Sequence, residues 1–443
     1  MASGLRRCLG ALPTTGQALA TVGLTITAVI NIPAALAAGS GRATWLCYAI
    51  ALVAMLLVVE TLVLFRRQPA RADGIAGYVD AGLGRRPSTL AAWALFFGYG
   101  ALFVGCLSFF AAYLASLLAA LGLALPVLLL FGLGGAGALQ LARRDVPVSA
   151  TTMLVSETLS VLLVMALCGL VVLAASGGSS PPPPPGAGPP LGADVGAGLM
   201  AAVLSFIGFE SAANLGEEVN RPQQAIPLAL RASVLLAGGV FLFWAVVLTE
   251  GLSWLPLAVR QGTDPLLALS DLLRWPLAGR LVELGAALSL FGTSLGSLTA
   301  MGRLGWVLAR VEVLPAELAT VHGRFGTPAK ALAASALPAL GLGAVLLLAG
   351  QTPQTLYNTF GGGAVLAFLL VYGLVALAAL QQPLAGMATG RRRWTAGACL
   401  LVCTLVLLSY GQSLLQGQQA LLGGSLAILA VGALRVQWTV RAG

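Results

Sequence analysis

The chain has 443 residues, of which 58% are hydrophobic and only 9% are charged, and its formal net charge is +9. Soluble domains carry about 25% charged residues, so this chain has too little charge to coat the several soluble domains that its length would form. The composition excludes soluble, fibrous and disordered proteins and predicts an all-α integral membrane protein.

Twelve apolar segments are long enough to cross a membrane at about 20 residues per span. We number them as spans one to twelve. Their predicted limits, in chain order, are 16–38, 45–65, 90–119, 121–141, 150–175, 195–214, 231–251, 281–308, 331–350, 358–380, 394–411 and 417–435.

Lysine and arginine are distributed unequally between the two sides of these spans. Of the 24 basic residues, 20 lie on the side of the N-terminus, and the other side holds Arg42, Arg260, Arg274 and Arg280. Because cytoplasmic loops are rich in these residues, the pattern predicts a multi-pass cell-membrane protein with both termini in the cytoplasm. No basic stripe alternates with aromatic residues, so nucleic-acid binding is not expected.

Spans one and six contain helix-breaking residues at corresponding places. In span one, the stretch from Gly23 to Pro33 places Asn31 and Pro33 in mid-membrane and predicts a break around Thr27 to Asn31; in span six, Gly208 stands beside Glu210. The two spans are five helices apart, as in a five-plus-five inverted repeat, where half-helix ends bind the charges of a substrate. We therefore predict a cytoplasmic N-terminus over residues 1–15, an inverted-repeat core of ten helices over 16–380, and two accessory helices with a cytoplasmic C-terminus over 381–443.

Acidic residues inside spans are costly in lipid and are usually functional. Four qualify: Glu60, Glu157, Glu210 and Glu283. Glu60 and Glu283 lie near span ends, where a carboxylate can reach water. Glu157 and Glu210 lie deeper, and for each a proton-carrying role competes with a purely structural hydrogen bond between helices.

The remaining segments predict two outer loops and offer possible metal-binding residues. The proline-rich stretch Ser176 to Pro190 is predicted to be an external loop of polyproline II character, and the outer loop from Gly251 to Arg280 is predicted to hold a short surface helix. The pattern of cysteines and of the single histidine favours no metal site. Hydroxyls of span eight could bind sodium, although such side chains more often bond to the backbone; they are Thr293, Ser294, Ser297 and Thr299.

Three stretches of sequence resemble the amino acid–polyamine–organocation permeases. The first runs from Ser205-Phe-Ile-Gly-Phe-Glu-Ser-Ala212 through Gly216-Glu-Glu-Val-Asn-Arg-Pro222 to Ala225-Ile-Pro227. The second comprises Gly302-Arg303, Val313-Leu-Pro315 and Val321-His-Gly-Arg-Phe-Gly-Thr-Pro328, and the third Glu60 with Gly77-Tyr78. The resemblance covers roughly residues 16–380 and implies a LeuT-type fold and secondary transport of amino acids.

The resemblance also implies a substrate site between the interruptions of spans one and six. The family pattern Gly-x-Gly-Ile-Phe in span one, whose bare amides hold a substrate carboxylate, is interpreted as replaced here by Thr27, Ala28, Val29, Ile30 and Asn31. The Thr27 hydroxyl and the Asn31 amide would then form part of the site. In span six the implied binding residues are Phe206, Ile207, Gly208 and Phe209. We expect the backbone at Ile207 and Gly208 to be unwound, with its carbonyls accepting hydrogen bonds from a substrate ammonium.

These observations predict a permease for a neutral amino acid or a related amine, with Glu210 and then Glu157 as proton-coupling candidates. No nucleotide-binding motif is present, no cofactor is expected, and proton coupling or exchange is favoured over sodium coupling. A hydrolase lacks a cluster of acid–base or metal-binding residues, and a channel lacks a filter-like loop. The alternative that remains is a transporter-like sensor or scaffold that has lost ordinary amino acid binding. The sequence does not predict the oligomeric state.

Overall fold

The computed structural model describes residues 9–67, 73–144, 146–177, 195–256, 259, 264–381 and 389–417, and residues 428, 430, 431, 434 and 435. Within these residues the regular secondary structure is helical, apart from a single β-bridge between Leu9 and Val219, and turns and irregular segments join the helices. Nine of the described helices are long and apolar enough to cross a membrane. The prediction of an all-α, multi-pass membrane protein is confirmed.

The described helices follow the predicted spans in chain order. Their bounds from span one to span eleven are Ala11–Ala37, Gly41–Val63, Arg85–Ala120, Val127–Arg143, Val146–Ser176, Val195–Phe206 with the 3-10 turn Phe209–Leu215, Pro222–Ser253, Pro276–Arg310, Ala329–Leu348, Pro353–Gln381 and Thr389–Gly417. Most of predicted span twelve and of the proline-rich loop lie outside the described residues.

Helix bounds differ from the predicted limits where local chemistry ends or extends a helix. Span four begins at Val127 rather than 121, because Gly122 has a positive φ and Pro126 immediately precedes the helix. Spans three and eight have 36 and 35 residues and therefore extend well beyond the roughly 20 residues that a bilayer requires. The predicted helix in the outer loop is confirmed as Pro265–Leu272.

Burial distinguishes the central spans from those at the periphery. In the apolar 18-residue stretches of spans one, six and eight, 89%, 78% and 78% of the residues are buried, against 28% in spans five and nine. Spans one, six and eight therefore form the centre of the molecule, with the interrupted segments enclosed by protein. Irregular backbone at membrane depth is tolerated only in such an enclosed position.

Candidate functional site

Span one is interrupted at Gly23, where its first helical segment, Ala11–Val22, ends. Gly23 has a φ of 68°, in the left-handed region that glycine adopts at little cost. A Cβ atom at this position would collide with the hydroxyl of Thr293, so the interruption lies directly against span eight. The prediction that the interruption lies at Thr27 to Asn31 is wrong.

Residues Thr27–Asn31 instead form a π-helical turn in which all five residues are buried. A π turn is wider than an α-helical turn but keeps its main-chain hydrogen bonds. Pro33, the conspicuous helix breaker in the sequence, is the second residue of the segment Ile32–Ala37, a position at which helices tolerate proline. These residues therefore shape span one without unwinding it.

Asn31 is held in a polar network that joins four spans. Its amide nitrogen donates to the Ser205 hydroxyl at 3.0 Å, and its amide oxygen accepts from the Tyr357 hydroxyl at 3.0 Å. The Tyr48 hydroxyl lies 3.1 Å from the same Ser205 oxygen. Spans one, two, six and ten are thus tied together next to the π turn.

Span six is interrupted at Gly208, which confirms that its backbone is not a continuous helix. The α-helix ends at Phe206, Gly208 has a φ of 117°, and a 3-10 turn continues over Phe209–Leu215. A Cβ atom at Gly208 would lie 2.7 Å from the main-chain oxygen of Thr21. The interruption of span six therefore packs against the backbone just before Gly23, and the two interruptions meet.

Glu157 of span five caps the second half of span one. Its carboxylate accepts hydrogen bonds from the main-chain amide of Thr25 at 3.2 Å and from the hydroxyl of Ser289 at 2.7 Å. The first amides after a helix interruption have no partner in the preceding turn, and the positive end of a helix favours a carboxylate. Glu157 thus occupies the anion-binding end of the interrupted span.

Glu210 joins the interruption of span six to two other spans. It accepts hydrogen bonds from the Tyr99 hydroxyl at 3.0 Å, from the Tyr372 hydroxyl at 2.7 Å and from the main-chain amide of Gly208 at 3.2 Å. The residue is fully buried. Its carboxyl group therefore has donors on spans three, six and ten.

Three of the four span-eight hydroxyls proposed for sodium bond to backbone carbonyls. Thr293 donates to the carbonyl of Ala20 at 2.9 Å, and Ser294 and Thr299 donate to carbonyls of their own helix. In the described part of the chain, no group of three His, Cys, Asp or Glu side chains could hold a metal ion.

Unpartnered buried hydroxyls flank the two interruptions. Among the described residues, Thr25 and Thr27 in span one, Ser211 in span six and Ser297 in span eight have buried hydroxyl oxygens without a hydrogen-bond partner. Buried hydroxyls normally have a partner, because leaving one unpaired costs about 1–3 kcal/mol. This concentration makes the junction chemically suited to a polar ligand.

A buried ion pair closes the side of the site that the sequence predicts to be cytoplasmic. Arg303 of span eight and Glu218, in the loop after span six, form two hydrogen bonds of 2.7 and 3.1 Å, and their side chains are 5% and 1% exposed. The N-terminal segment joins this closure, because the Leu9 amide donates to the Glu218 carbonyl at 3.0 Å and the Asn220 amide donates to the Leu9 carbonyl at 2.7 Å. We call these contacts the inner closure.

The two shallower acids are paired with arginines. Glu60 forms two hydrogen bonds with Arg231 of span seven, at 2.6 and 2.9 Å, and remains partly exposed. Glu283 bonds to Arg280 at 2.7 Å and accepts from the Ser116 hydroxyl at 2.9 Å. The Glu283 side chain is only 3% exposed, so it is buried by these partners rather than extending to water as predicted.

Four tyrosines that the sequence analysis did not single out hold the site together: Tyr48, Tyr99, Tyr357 and Tyr372. Each is buried, and each hydroxyl bonds to Ser205, Asn31 or Glu210. The chain has only seven tyrosines. A phenol that is buried within an apolar span needs a hydrogen-bond partner. A tyrosine inside a predicted span was therefore the sequence signal that could have indicated these polar contacts.

The chain is similar in sequence to known amino acid transport proteins. A family model described as amino acid permease matches residues 17–437. The chain is 28% identical over 183 residues to "Cationic amino acid transporter 2, vacuolar" of Arabidopsis thaliana, a match that covers 41% of this chain and 28% of that protein. It is 27% identical over 135 residues to "Serine/threonine exchanger SteT" of Bacillus subtilis, covering 30% of this chain and 31% of that protein. These matches span about a third or less of each relative's length.

A solved structure matches over almost the full length. It is the manganese transporter of Eremococcus coleocola, with a TM-score of 0.60 and 14% identity, covering 99% of this chain and 97% of that chain. At this identity the similarity shows a shared fold and carries no information about the substrate.

Proposed function

The chain belongs to the amino acid permease family, and we propose that it is a secondary active transporter that moves a neutral amino acid or a related amine across the cell membrane by alternating access. The observation that carries this proposal is the contact between the two interrupted spans at Gly23 and Gly208. Half-helix ends that meet in the middle of a bundle can bind both charges of a small zwitterion. The excess of basic residues on one side supports cytoplasmic termini.

The substrate ammonium is assigned to the interruption of span six. The helix is broken at Ile207 and Gly208. The Gly208 carbonyl accepts from the Ser211 amide at 3.0 Å, and a carbonyl has a second lone pair that can accept a hydrogen bond from a substrate ammonium. The other residues of the two interrupted segments are mostly apolar; they include Ala28, Val29, Ile30, Phe206 and Phe209, and all are buried. A second charge on the substrate would find no dedicated partner among them, which supports a neutral side chain.

The substrate carboxylate is assigned to the amides that follow Gly23. Glu157 already binds the Thr25 amide, so a substrate carboxylate and the Glu157 carboxylate compete for the same positive helix end. Protonation of Glu157 would weaken its bond and release the amide to the substrate. An amine without a carboxylate would bind without this competition.

Glu210 remains the first candidate for proton coupling, with Glu157 as the second. The three donors to Glu210 all bond best to a charged carboxylate. Proton uptake would weaken the attachment of Tyr99 and Tyr372 to span six and so loosen spans three and ten from the interruption. Protonation at this position is thereby linked to movement between groups of helices.

Uptake into proteoliposomes tests the function. Purified protein is reconstituted, and uptake of labelled leucine, alanine, serine, lysine and arginine is measured with and without an imposed pH gradient. We expect saturable uptake of a neutral amino acid, inhibited by other neutral amino acids and accelerated by a gradient or by internal substrate. Preference for lysine or arginine would contradict the substrate assignment, and the absence of uptake together with saturable binding would indicate the sensor.

A further inference from the structure

A cavity of about 700 Å³ lies between the ends of spans four and nine that the proposed orientation places at the cytoplasmic surface. Four cationic side chains line it: Arg143, Arg144, Arg324 and Lys330. Gln140 and His322 add polar atoms, and no described residue with a carboxylate lines the cavity. This cavity is separate from the junction of the two interrupted spans.

The loop that completes the cavity is fixed to span four by hydrogen bonds. The Thr327 hydroxyl donates to the main-chain oxygen of Arg143 at 2.9 Å. The amide of His322 donates to the carbonyl of Thr327 at 2.8 Å, and the His322 ring stacks on Phe325 with their centroids 5.1 Å apart. Arg324 packs over the same Phe325 ring. The cationic side chains from three elements are therefore held around one concave surface.

The positive charge of the cavity is not neutralised by the described protein. No described acidic side chain lies within ion-pair distance of Arg143, Arg144, Arg324 or Lys330. The Nε atom of Arg143 is buried without a hydrogen-bond partner. An excess of basic residues in cytoplasmic loops accounts for their number, but four cations around one cavity repel each other, and an anion bound among them lowers that repulsion.

An apolar surface leads from the cavity toward the middle of the membrane. Leu133 lies seven residues before Gln140 and Leu337 lies four residues after the lining residue Ala333, so each shares a helix face with the cavity. Both leucines are about 60% exposed. A molecule with an anionic head and a hydrocarbon tail matches both parts of this surface.

We propose that this cavity, which we call the basic cavity, binds the phosphate headgroup of an anionic phospholipid of the inner leaflet. The arginines and Lys330 contact the phosphate, and an acyl chain follows the exposed leucines of spans four and nine. Basic pockets between membrane helices on the cytoplasmic side bind such headgroups, and each basic residue near the surface contributes to the attraction. A soluble phosphate would use the same cations but not the apolar surface.

The test compares two triple variants that lose the same charge. One variant, Arg144→Gln with Arg324→Gln and Lys330→Gln, removes three exposed cations from the basic cavity. The control variant, Arg86→Gln with Arg391→Gln and Arg393→Gln, removes three exposed arginines elsewhere on the same side. The thermal midpoint of the purified protein in neutral detergent is measured during titration with phosphatidylglycerol, phosphatidylcholine, inorganic phosphate or glycerol 3-phosphate.

We expect phosphatidylglycerol, but not phosphatidylcholine or either soluble phosphate, to raise the midpoint of the wild type and of the control variant. The basic-cavity variant should need at least about tenfold more phosphatidylglycerol for the same shift. Equal responses of the two variants would overturn the site. An equal shift with inorganic phosphate or glycerol 3-phosphate would overturn the lipid assignment and identify a soluble phosphate site.

Discussion

Two buried carboxyl groups at the junction of the interrupted spans have different partners and therefore different expected roles. Glu210 is surrounded by donors from tyrosines and from the amide of Gly208. Glu157 bonds to an amide that a substrate carboxylate would also require. Substitution of each carboxyl group by an amide of the same size separates these roles.

We predict that Glu210→Gln lowers the initial rate of uptake at least about tenfold and removes the wild-type dependence on external pH. The glutamine NH₂ group cannot accept a hydrogen bond, so at least one of the three donors loses its acceptor, at a cost of about 1–3 kcal/mol. The measurement is initial uptake across external pH. Tyr372→Phe is the matched control, because it removes one donor and keeps the carboxyl group; its rate should fall while the pH dependence persists. A Glu210→Gln protein with the rate and pH profile of the wild type would transfer the proton role to Glu157.

We predict that Glu157→Gln lowers KM for amino acids that carry a carboxylate, because a neutral amide competes less strongly for the Thr25 amide than a carboxylate does. The KM of an amine that lacks a carboxylate should be unchanged. KM values for both classes are measured in the same proteoliposomes. Glu317→Gln, at an exposed glutamate in the loop after span eight, controls for loss of one negative charge. Equal changes in KM for both classes would argue against competition.

At the scale of single elements, the interruptions depend on glycine at two positions with positive φ. The sequence predicted the position in span six, because Gly208 stands beside an acid in an apolar segment. It did not predict the position in span one, because Asn31 and Pro33 are stronger breakers by residue type. The structure retains both of those residues in helical conformation and breaks the span at Gly23, where span eight approaches. Only tertiary contact distinguishes these alternatives.

We predict that Gly208→Ala reduces transport severely and lowers the free energy of unfolding by about 2 kcal/mol or more. Alanine would have to adopt a left-handed φ, and its Cβ would lie 2.7 Å from the Thr21 oxygen. Gly239→Ala is the control, since that exposed position in span seven has nothing within 4 Å; it should leave transport intact. Thermal unfolding and uptake are measured on both proteins. Normal transport by Gly208→Ala would show that the interruption is not required.

At the scale of the whole molecule, the order and type of the helices could be read from the sequence because hydropathy and span length are local properties. The partners that Glu157, Glu210 and Arg303 have on other elements could not, because those contacts join residues more than 80 positions apart. The motif from Gly216 to Pro222 identified the loop that carries Glu218, but it did not indicate that Leu9 pairs with this loop. The inner closure is therefore a product of the fold that no single segment reveals.

We predict that Arg303→Gln opens the inner side of the site. Removal of one member of a buried ion pair costs about 3–5 kcal/mol. Here the loss destabilises the inner closure, so the inward-open arrangement becomes more populated. The measurement is the rate at which a membrane-impermeant thiol reagent, added from the cytoplasmic side, modifies Ser211→Cys in a background without native cysteines. The rate should rise at least about tenfold. Arg310→Gln is the control, because its contact with Glu217 is 3.9 Å long and largely exposed, and it should leave the rate unchanged.

The contact between Glu157 and the Thr25 amide also affects when span one can leave the translocon during synthesis. Span one enters the membrane with a Thr25 amide whose partner in the folded protein, Glu157, is synthesised 132 residues later. Until span five is inserted, this amide depends on water or on the walls of the translocon, since hydrocarbon offers no acceptor. Nascent chains that stop before Glu157 should therefore keep span one at the translocon, and chains extended past span five should release it into lipid.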